Sequence, residues 1–357
     1  MRVLLIRLRL IGDVVFTTPI PRAIKRAFPG ALVSYLVEEA AAPVVATNPY
    51  IDDVIVIPRA RGMRRVMDDV RLALRLRRKR YDIVIDLHGG PRSSWITWAS
   101  GAGQRIGYEI KGRGWMYSRQ VARPRELRAR HSVMNQWDLL EAIDGWPGGP
   151  PDPARDAVDM PSDPGADAAI ERRLAAVGIT PSDELILAHV SAGNPFRRWP
   201  EPAFTEVLAT LARESPRRRV IVSSGPSDHA AAVRIAEAAR RALGEHAGRI
   251  VEFGEFNLSE LRSLIARSRL FIGGDTGPLH IAATTATPIV GLYGPTLPAR
   301  SAPWRDPAIR SEALEVIGLP CRPCEQRVCV LGDFRCLTTL QPADVISAAH
   351  RALQWTA

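Results

Sequence analysis

A chain of 357 residues is too long for one ordinary core and comfortable for two. Hydrophobic residues make up 46% and charged residues 24%, which is globular usage and excludes a disordered chain. The formal charge of +10 comes almost wholly from arginine, with lysine only at Lys25, Lys79 and Lys111, and it favours nucleic acid, phosphorylated ligands or an acidic membrane surface as partner.

The N-terminal apolar run is broken by Arg7 and Arg9, so it reads as a first strand rather than a secretory signal. With no uncharged apolar run of about 18 residues to span a bilayer, the expected location is the cytoplasm. Strands are predicted at 3–6, 32–37, 54–57 and 82–86. A helix over 19–27 ends at Phe28-Pro29-Gly30, and a long arginine-studded helix ends near Arg80. Basic residues cluster at 59–65, at 75–80 and between Arg113 and Arg130, all in the first half. From 144 to 164 the composition turns to glycine and proline, which marks a linker. The alternation then restarts, with strands at 185–190, 219–223, 250–253, 270–274 and 288–293. Helices are predicted at 202–213, 228–243, 258–267 and from Gly277. Strands spaced by helices imply parallel βαβ units, with ligands at the carboxyl ends of the strands.

Four constellations carry candidate chemistry. Gly12-Asp13 follows the first strand where the chain opens into a helix; the glycine permits close backbone approach, and the carboxylate either caps the helix or serves as a general base. Asp275-Thr276-Gly277-Pro278-Leu279-His280 follows a strand and opens a helix, a setting that suits phosphate. Ser191, Gly193 and Arg197 or Arg198 lie in the loop after the first strand of the second domain, where a diphosphate could bind or Trp199-Pro200 could simply pack. Cys321, Cys324, Cys329 and Cys336 form the fourth, open to a structural zinc site, reduced thiols or a disulfide. The glycine fingerprint of a dinucleotide fold is missing after the first strand, which disfavours a dehydrogenase or an epimerase. The phosphate-binding loop of nucleotide hydrolases and the nucleophile elbow of hydrolases are missing too.

At these residues the chain resembles the ADP-heptose:lipopolysaccharide heptosyltransferases of glycosyltransferase family 9. The resemblance runs nearly end to end. It rests on Ile-Gly-Asp-Val-Val-Phe-Thr-Thr-Pro at 11–19, Asn-Pro-Tyr-Ile-Asp-Asp-Val at 48–54 and Tyr-Asp-Ile-Val-Ile-Asp-Leu-His-Gly at 81–89. Arg-Trp-Pro at 198–200, Gly-Gly-Asp-Thr-Gly-Pro-Leu-His at 273–280 and the cysteine-bearing tail complete it. The resemblance implies an α/β GT-B fold, two Rossmann-like domains facing a central cleft. Residues 1–155 would bind the acceptor and 165–340 the nucleotide sugar, with a helix over 341–357 packing back toward the first domain.

It further implies an inverting, metal-independent transfer, without a cofactor, from ADP-L-glycero-D-manno-heptose to the inner core of lipopolysaccharide. Asp13 becomes the general base. Ser191, Gly193, Arg197, Asp228, Asp275, Thr276, Gly277 and His280 become donor-site residues, with Arg197 where the family usually has lysine. Gly12, Arg59, Arg61, Arg64 and Arg65 fall to the acceptor, an anionic glycolipid. The chain is then expected to act as a monomer, in peripheral contact with the inner face of the cytoplasmic membrane. Alternatives are another nucleotide-sugar donor, a non-core acceptor, or a non-catalytic protein binding sugar or nucleic acid. The basic clusters lack the aromatic interleaving of nucleic-acid binders, so no nucleic-acid partner is expected.

Overall fold

Alternating apolar runs and amphipathic stretches fold into two units, Met1–Pro161 and Ser162–Ala357. The structure, a computed structural model, describes residues 1–59, 62–122, 129–322, 324 and 328–355. Arg61 lies outside them.

The first unit runs β1 (Arg2–Ile6), α1 (Ile11–Val15), α2 (Pro19–Ala27), β2 (Leu32–Glu38), β3 (Asp53–Ile57), α3 (Gly62–Lys79), β4 (Ile83–Asp86), α4 (Pro91–Ala99), β5 (Gln104–Tyr108), β6 (Arg119–Val121) and α5 (Ser132–Trp137). Its six strands are ordered β3-β2-β1-β4-β5-β6, every pair parallel. Covered on both faces, the central strands need no alternation, and Val3, Leu4, Leu5 and Ile6 are all fully buried. Each such side chain contributes about 1.5–3 kcal/mol. On one face, Leu72 and Leu76 of α3 and Ile96 of α4 share a core cluster with Leu4, Ile6 and Val84.

The second unit runs α6 (Pro164–Ala176), β7 (Glu184–His189), α7 (Glu201–Arg213), β8 (Arg218–Ser223), α8 (His229–Leu243), β9 (Ile250–Glu252), α9 (Leu258–Arg267), β10 (Leu270–Gly274), α10 (Gly277–Ala282), β11 (Ile289–Tyr293), α11 (Pro298–Ser301), β12 (Ser311–Glu315), α12 (Arg335–Thr338) and α13 (Pro342–Leu353). Its strand order is β12-β11-β10-β7-β8-β9, again parallel throughout. Numbered within the unit, this is the same order as in the first. In the C-terminal helix, Val345, Ala348, Ala349 and Ala352 of α13 enter the second unit's own core.

The outer strands β5, β6 and β12 were not anticipated. Their sequences, Gln-Arg-Ile-Gly-Tyr, Arg-Gln-Val and Ser-Glu-Ala-Leu-Glu, are short and polar. A strand at or near a sheet edge is partly exposed, so it carries neither a buried run nor a clean alternation.

Candidate functional site

In each sheet the chain reverses its direction of winding between two neighbouring strands, β1 and β4 in the first unit and β7 and β10 in the second. Loops leaving the carboxyl ends of such a pair diverge and open a crevice where doubly wound folds bind ligands. Most of the candidate residues lie on these loops.

In the first unit, the loop after β1 passes through Arg7 into α1. Leu10 occupies the N-cap position of α1, and no side-chain cap bond is made there. The capping role for Asp13 therefore does not hold. Asp13 sits in the first turn, its Oδ2 ion-paired with Arg7 Nη2; the arginine side chain is 9% exposed and the aspartate 38%. Arg7 is fixed by donating through Nη1 to Leu87 O at 2.5 Å, and its Nε is buried without a partner among the described residues. Gly12 is buried beneath this turn, its carbonyl accepting from the Phe16 amide at 3.0 Å.

The loop after β4 supplies two groups to which the sequence had given no role. Asp86, fully buried, accepts from the His88 and Gly89 amides, both at 2.9 Å, and from Ser93 Oγ at 3.0 Å and Tyr117 Oη at 2.6 Å. That bonding sets the loop. It brings the His88 ring onto Gly90, where a Cβ would meet the ring's Cδ2 at 2.7 Å. Burial, then the Arg7 charge, push the His88 pKa below the ordinary imidazole value against the opposing pull of Asp86. A neutral imidazole therefore stands near the Arg7–Asp13 pair, its Nδ1 buried and unpartnered among the described residues. The sequence signal was available: a histidine directly after a buried strand, followed by two glycines.

Arg59, Arg64 and Arg65 are exposed at the end of β3 and the start of α3. Behind them Arg92 of α4, 11% exposed, reaches Asp69 of α3 at 2.7 Å and Glu38 of β2 at 3.2 Å. This largely buried ionic cluster ties α3 to α4 and β2. Sequence spacing could not reveal it, because its members are far apart in the chain.

In the second unit, loops from four adjacent strands meet. Ser191, after β7, donates to Asp228 Oδ2, and Arg198 pairs with Asp228 Oδ1; Asp228 is 2% exposed. Asp228 thus positions its neighbours and presents little surface of its own. The same pairing separates two arginines that the sequence left as alternatives. Arg198 is taken by Asp228, whereas Arg197 keeps a buried Nε without a partner among the described residues. Gly193 is exposed and faces open space: a methyl group in place of its hydrogen would meet nothing within 4 Å.

After β10, Asp275 and His280 are both 7% exposed, with Oδ1 3.4 Å from Nε2. Thr296, from the loop after β11, donates to Asp275 Oδ2. Burial alone would raise the Asp275 pKa; the His280 hydrogen bond and charge, the Thr296 hydroxyl and the Arg197 charge outweigh it and hold the carboxyl below its usual range. Thr276 heads α10 with its hydroxyl 3.3 Å from Gly274 O. Thr296 was missed in sequence, although Gly-Pro-Thr directly after a buried strand has the same grammar as the loops that were found. Its carbonyl accepts from Arg322 Nη2 at 2.7 Å, and Cys324 N donates to Pro295 O at 2.9 Å, so the cysteine-rich segment buttresses this loop. The four cysteines are free thiols, and no three His, Cys, Asp or Glu side chains gather as a metal-holding group among the described residues.

Comparison with known proteins bears on both halves. Residues 70–334, well over half of the chain, match the family described as glycosyltransferase family 9 (heptosyltransferase). A similar relative is the lipopolysaccharide heptosyltransferase 3 of Escherichia coli, 24% identical over 97% of this chain and 97% of the relative. Among solved structures, a family 9 glycosyl transferase from Veillonella parvula is 23% identical with a TM-score of 0.80, covering 99% of this chain and 97% of that one. The ADP-heptose lps heptosyltransferase II of E. coli is 20% identical with a TM-score of 0.78, covering 99% and 98%. These likenesses fix the fold as GT-B. The paired doubly wound sheets, the loops gathered at their switch points and the family match lead to one assignment: the chain belongs to glycosyltransferase family 9, the heptosyltransferases.

Proposed function

We propose that the chain transfers a heptose from ADP-L-glycero-D-manno-heptose to the inner core of lipopolysaccharide by an inverting, metal-independent displacement. The observation that carries this reading is the Asp13 carboxylate, half-exposed at the carboxyl end of β1 and held on one side by a buried arginine. With Oδ2 on Arg7, Oδ1 is left to take the proton of the acceptor hydroxyl as that oxygen attacks the anomeric carbon. The bond from that carbon to the diphosphate oxygen breaks, and ADP leaves with the electron pair. A single displacement inverts the anomeric centre. Charge on the departing diphosphate falls to Arg197 and the Thr276 hydroxyl, and pre-oriented groups of this kind act where charge develops. Asp275, His280, Asp228 and Ser191 keep that region in place.

The donor is proposed by kinship: the E. coli structure that this fold resembles is named as an ADP-heptose enzyme. Arg59, Arg64 and Arg65 suit the anionic acceptor, with peripheral contact at the cytoplasmic membrane. Among the described residues, no helix is long and apolar enough to cross a membrane. The test is a donor panel with purified protein, scoring nucleotide release with and without a core oligosaccharide. Acceptor-dependent ADP release with ADP-heptose supports the reading. Turnover with another nucleotide sugar alone replaces the donor, and no acceptor-dependent release with any donor overturns the reading.

A further inference from the structure

The helix α3 is apolar on its outside. Its inner face packs Leu72 and Leu76 against the sheet, with Ala73 buried beside them, which is the face an ordinary surface helix would make apolar. Yet Met63, Val66, Met67, Val70 and Leu74 are 75%, 57%, 50%, 46% and 52% exposed. At about 100° per residue these five fall on one narrow stripe of the helix. Isolated exposed apolar residues need no explanation, but a contiguous row of five on one helix does.

Arginines accompany the stripe. Arg64, Arg71, Arg75 and Arg78 are all exposed, and they form a row about a quarter-turn round from it. The acidic residues of α3 offer them little: Asp69 is engaged by Arg92, and Asp68 reaches Arg71 at 3.4 Å. A second observation lies on the neighbouring helix, which shares α3's core cluster. Trp98 of α4, 40% exposed, meets Trp115, 62% exposed, edge to face at 5.6 Å. Exposed tryptophans, one of them on the helix packed beside α3 in the same core cluster, suit the level of lipid headgroups.

We infer that α3 lies in the surface of an anionic bilayer, with the Met63–Leu74 stripe entering the acyl boundary and the arginine row on the headgroup phosphates. This deepens the proposed acceptor reading and rests on it only for the choice of membrane. An apolar stripe alone would suit a protein partner equally. The arginine row decides, because an acidic headgroup layer can match it along its whole length, whereas a second copy of this chain would bring arginines of its own. A helix with an apolar face and an arginine flank binds such a surface reversibly, by buried area plus charge.

The test uses the full chain with vesicles containing phosphatidylglycerol or phosphatidylcholine alone, read by flotation. The parent should float with the anionic vesicles and be released by salt. The triple variant Met67→Ser, Val70→Ser, Leu74→Ser should bind at least tenfold more weakly, with an unchanged melting curve and unchanged turnover on a soluble, lipid-free acceptor. Arg71→Gln, Arg75→Gln and Arg78→Gln together should lower binding about a hundredfold, at about fivefold per side chain. Trp115→Ser, a single exposed change, serves as the second variant if the triple one misfolds, and should also weaken flotation. Equal binding to both vesicle types, or undiminished flotation of the serine variants, overturns the inference. So does light scattering that shows a dimer in the parent and a monomer in the triple variant. A parent that floats but releases no nucleotide with any donor would sink the transferase reading and leave the α3 surface standing.

Discussion

Arg7 and Asp13 form an ion pair across which burial is unequal: the guanidinium is inside the protein and the carboxylate at its surface. A charge inside and its partner outside fix the carboxylate's position while leaving it reachable. For a group that must take a proton from a bound hydroxyl, position matters first. Asp13→Asn should keep the fold and ADP affinity while lowering turnover about a hundredfold or more. Single-turnover kinetics with excess enzyme gives the measurement, and near-parental turnover would remove Asp13 from the chemistry.

Arg7 then acts through Asp13. Arg7→Met should leave ADP binding untouched and lower kcat with little change in the acceptor KM, whereas Arg7→Lys should recover part of the loss because it keeps the charge without the fork. An equal drop in both variants, matched by a lower melting temperature, would mark Arg7 as structural only.

How much of this was legible in the sequence differs between strand and loop. The buried central strands β1, β2, β7, β8, β10 and β11 are continuous apolar runs, and their period and flanking turns expose them. The edge strand β12 reads Ser-Glu-Ala-Leu-Glu and gives no such signal. Likewise Asp13 and Asp275 each follow a glycine just past a strand, and His280 comes about one helical turn after Gly277, so local grammar marks them. Arg92, Asp69 and Glu38 meet only through the fold, and no local pattern can bring together residues from α4, α3 and β2.

The two neighbouring arginines of the second unit should behave differently. Arg197→Ala should weaken ADP binding by roughly 1.5–3 kcal/mol, as a lost charge-assisted contact does, and Thr276→Val by less. Arg198→Ala should instead lower stability, because among the described residues it leaves the buried Asp228 carboxylate with only the Ser191 and Ser227 hydroxyls. Calorimetric titration with ADP beside thermal melts separates them; unchanged affinity in both Arg197→Ala and Thr276→Val would dissolve the phosphate assignment.

Acid should destabilise the second unit through His189. This ring is buried at the end of β7, 3.1 Å from Ser223 Oγ, and burial lowers its pKa to about 4 despite the opposing charge of Asp228. In the unfolded chain it titrates near the ordinary value of about 6.5. Between those values the unfolded state binds the extra proton, so stability is lost as pH falls from about 6.5 toward 4. The loss between pH 7 and pH 5 should be about 2 kcal/mol from this group. His189→Asn should start less stable and show a flatter pH dependence over that window. If urea denaturation gives parallel curves for parent and variant, the ring does not titrate as described.

Asp275 acts in the same direction over a more acidic window. Its folded pKa is depressed, so its contribution is present above the unfolded carboxylate value of about 3.9 and is lost as pH falls through the lower folded value. Asp275→Asn should therefore cost stability at neutral pH and little in strong acid. It should also loosen His280 and Thr296, which the carboxylate holds, and so weaken ADP binding. Stability lost equally at both pH values would mean that the charge of Asp275 contributes nothing.

The last prediction separates charge at the acceptor from charge at the membrane. Arg59, Arg64 and Arg65 are exposed at the β3–α3 junction, and as proposed they meet an anionic acceptor. Exposed charges attract over about 8–10 Å and are screened by salt. Replacing all three by glutamine should raise KM for a soluble phosphorylated core oligosaccharide at least tenfold, with kcat and ADP affinity nearly unchanged. Because that acceptor has no lipid, bilayer binding cannot contribute to the result. The same variant should lose most of the salt dependence of kcat/KM that the parent shows. With a dephosphorylated acceptor, parent and variant should converge, since the groups removed then have no charge to meet. A KM increase that persists in full on the dephosphorylated acceptor would show that these arginines shape the loop rather than read the acceptor's charge.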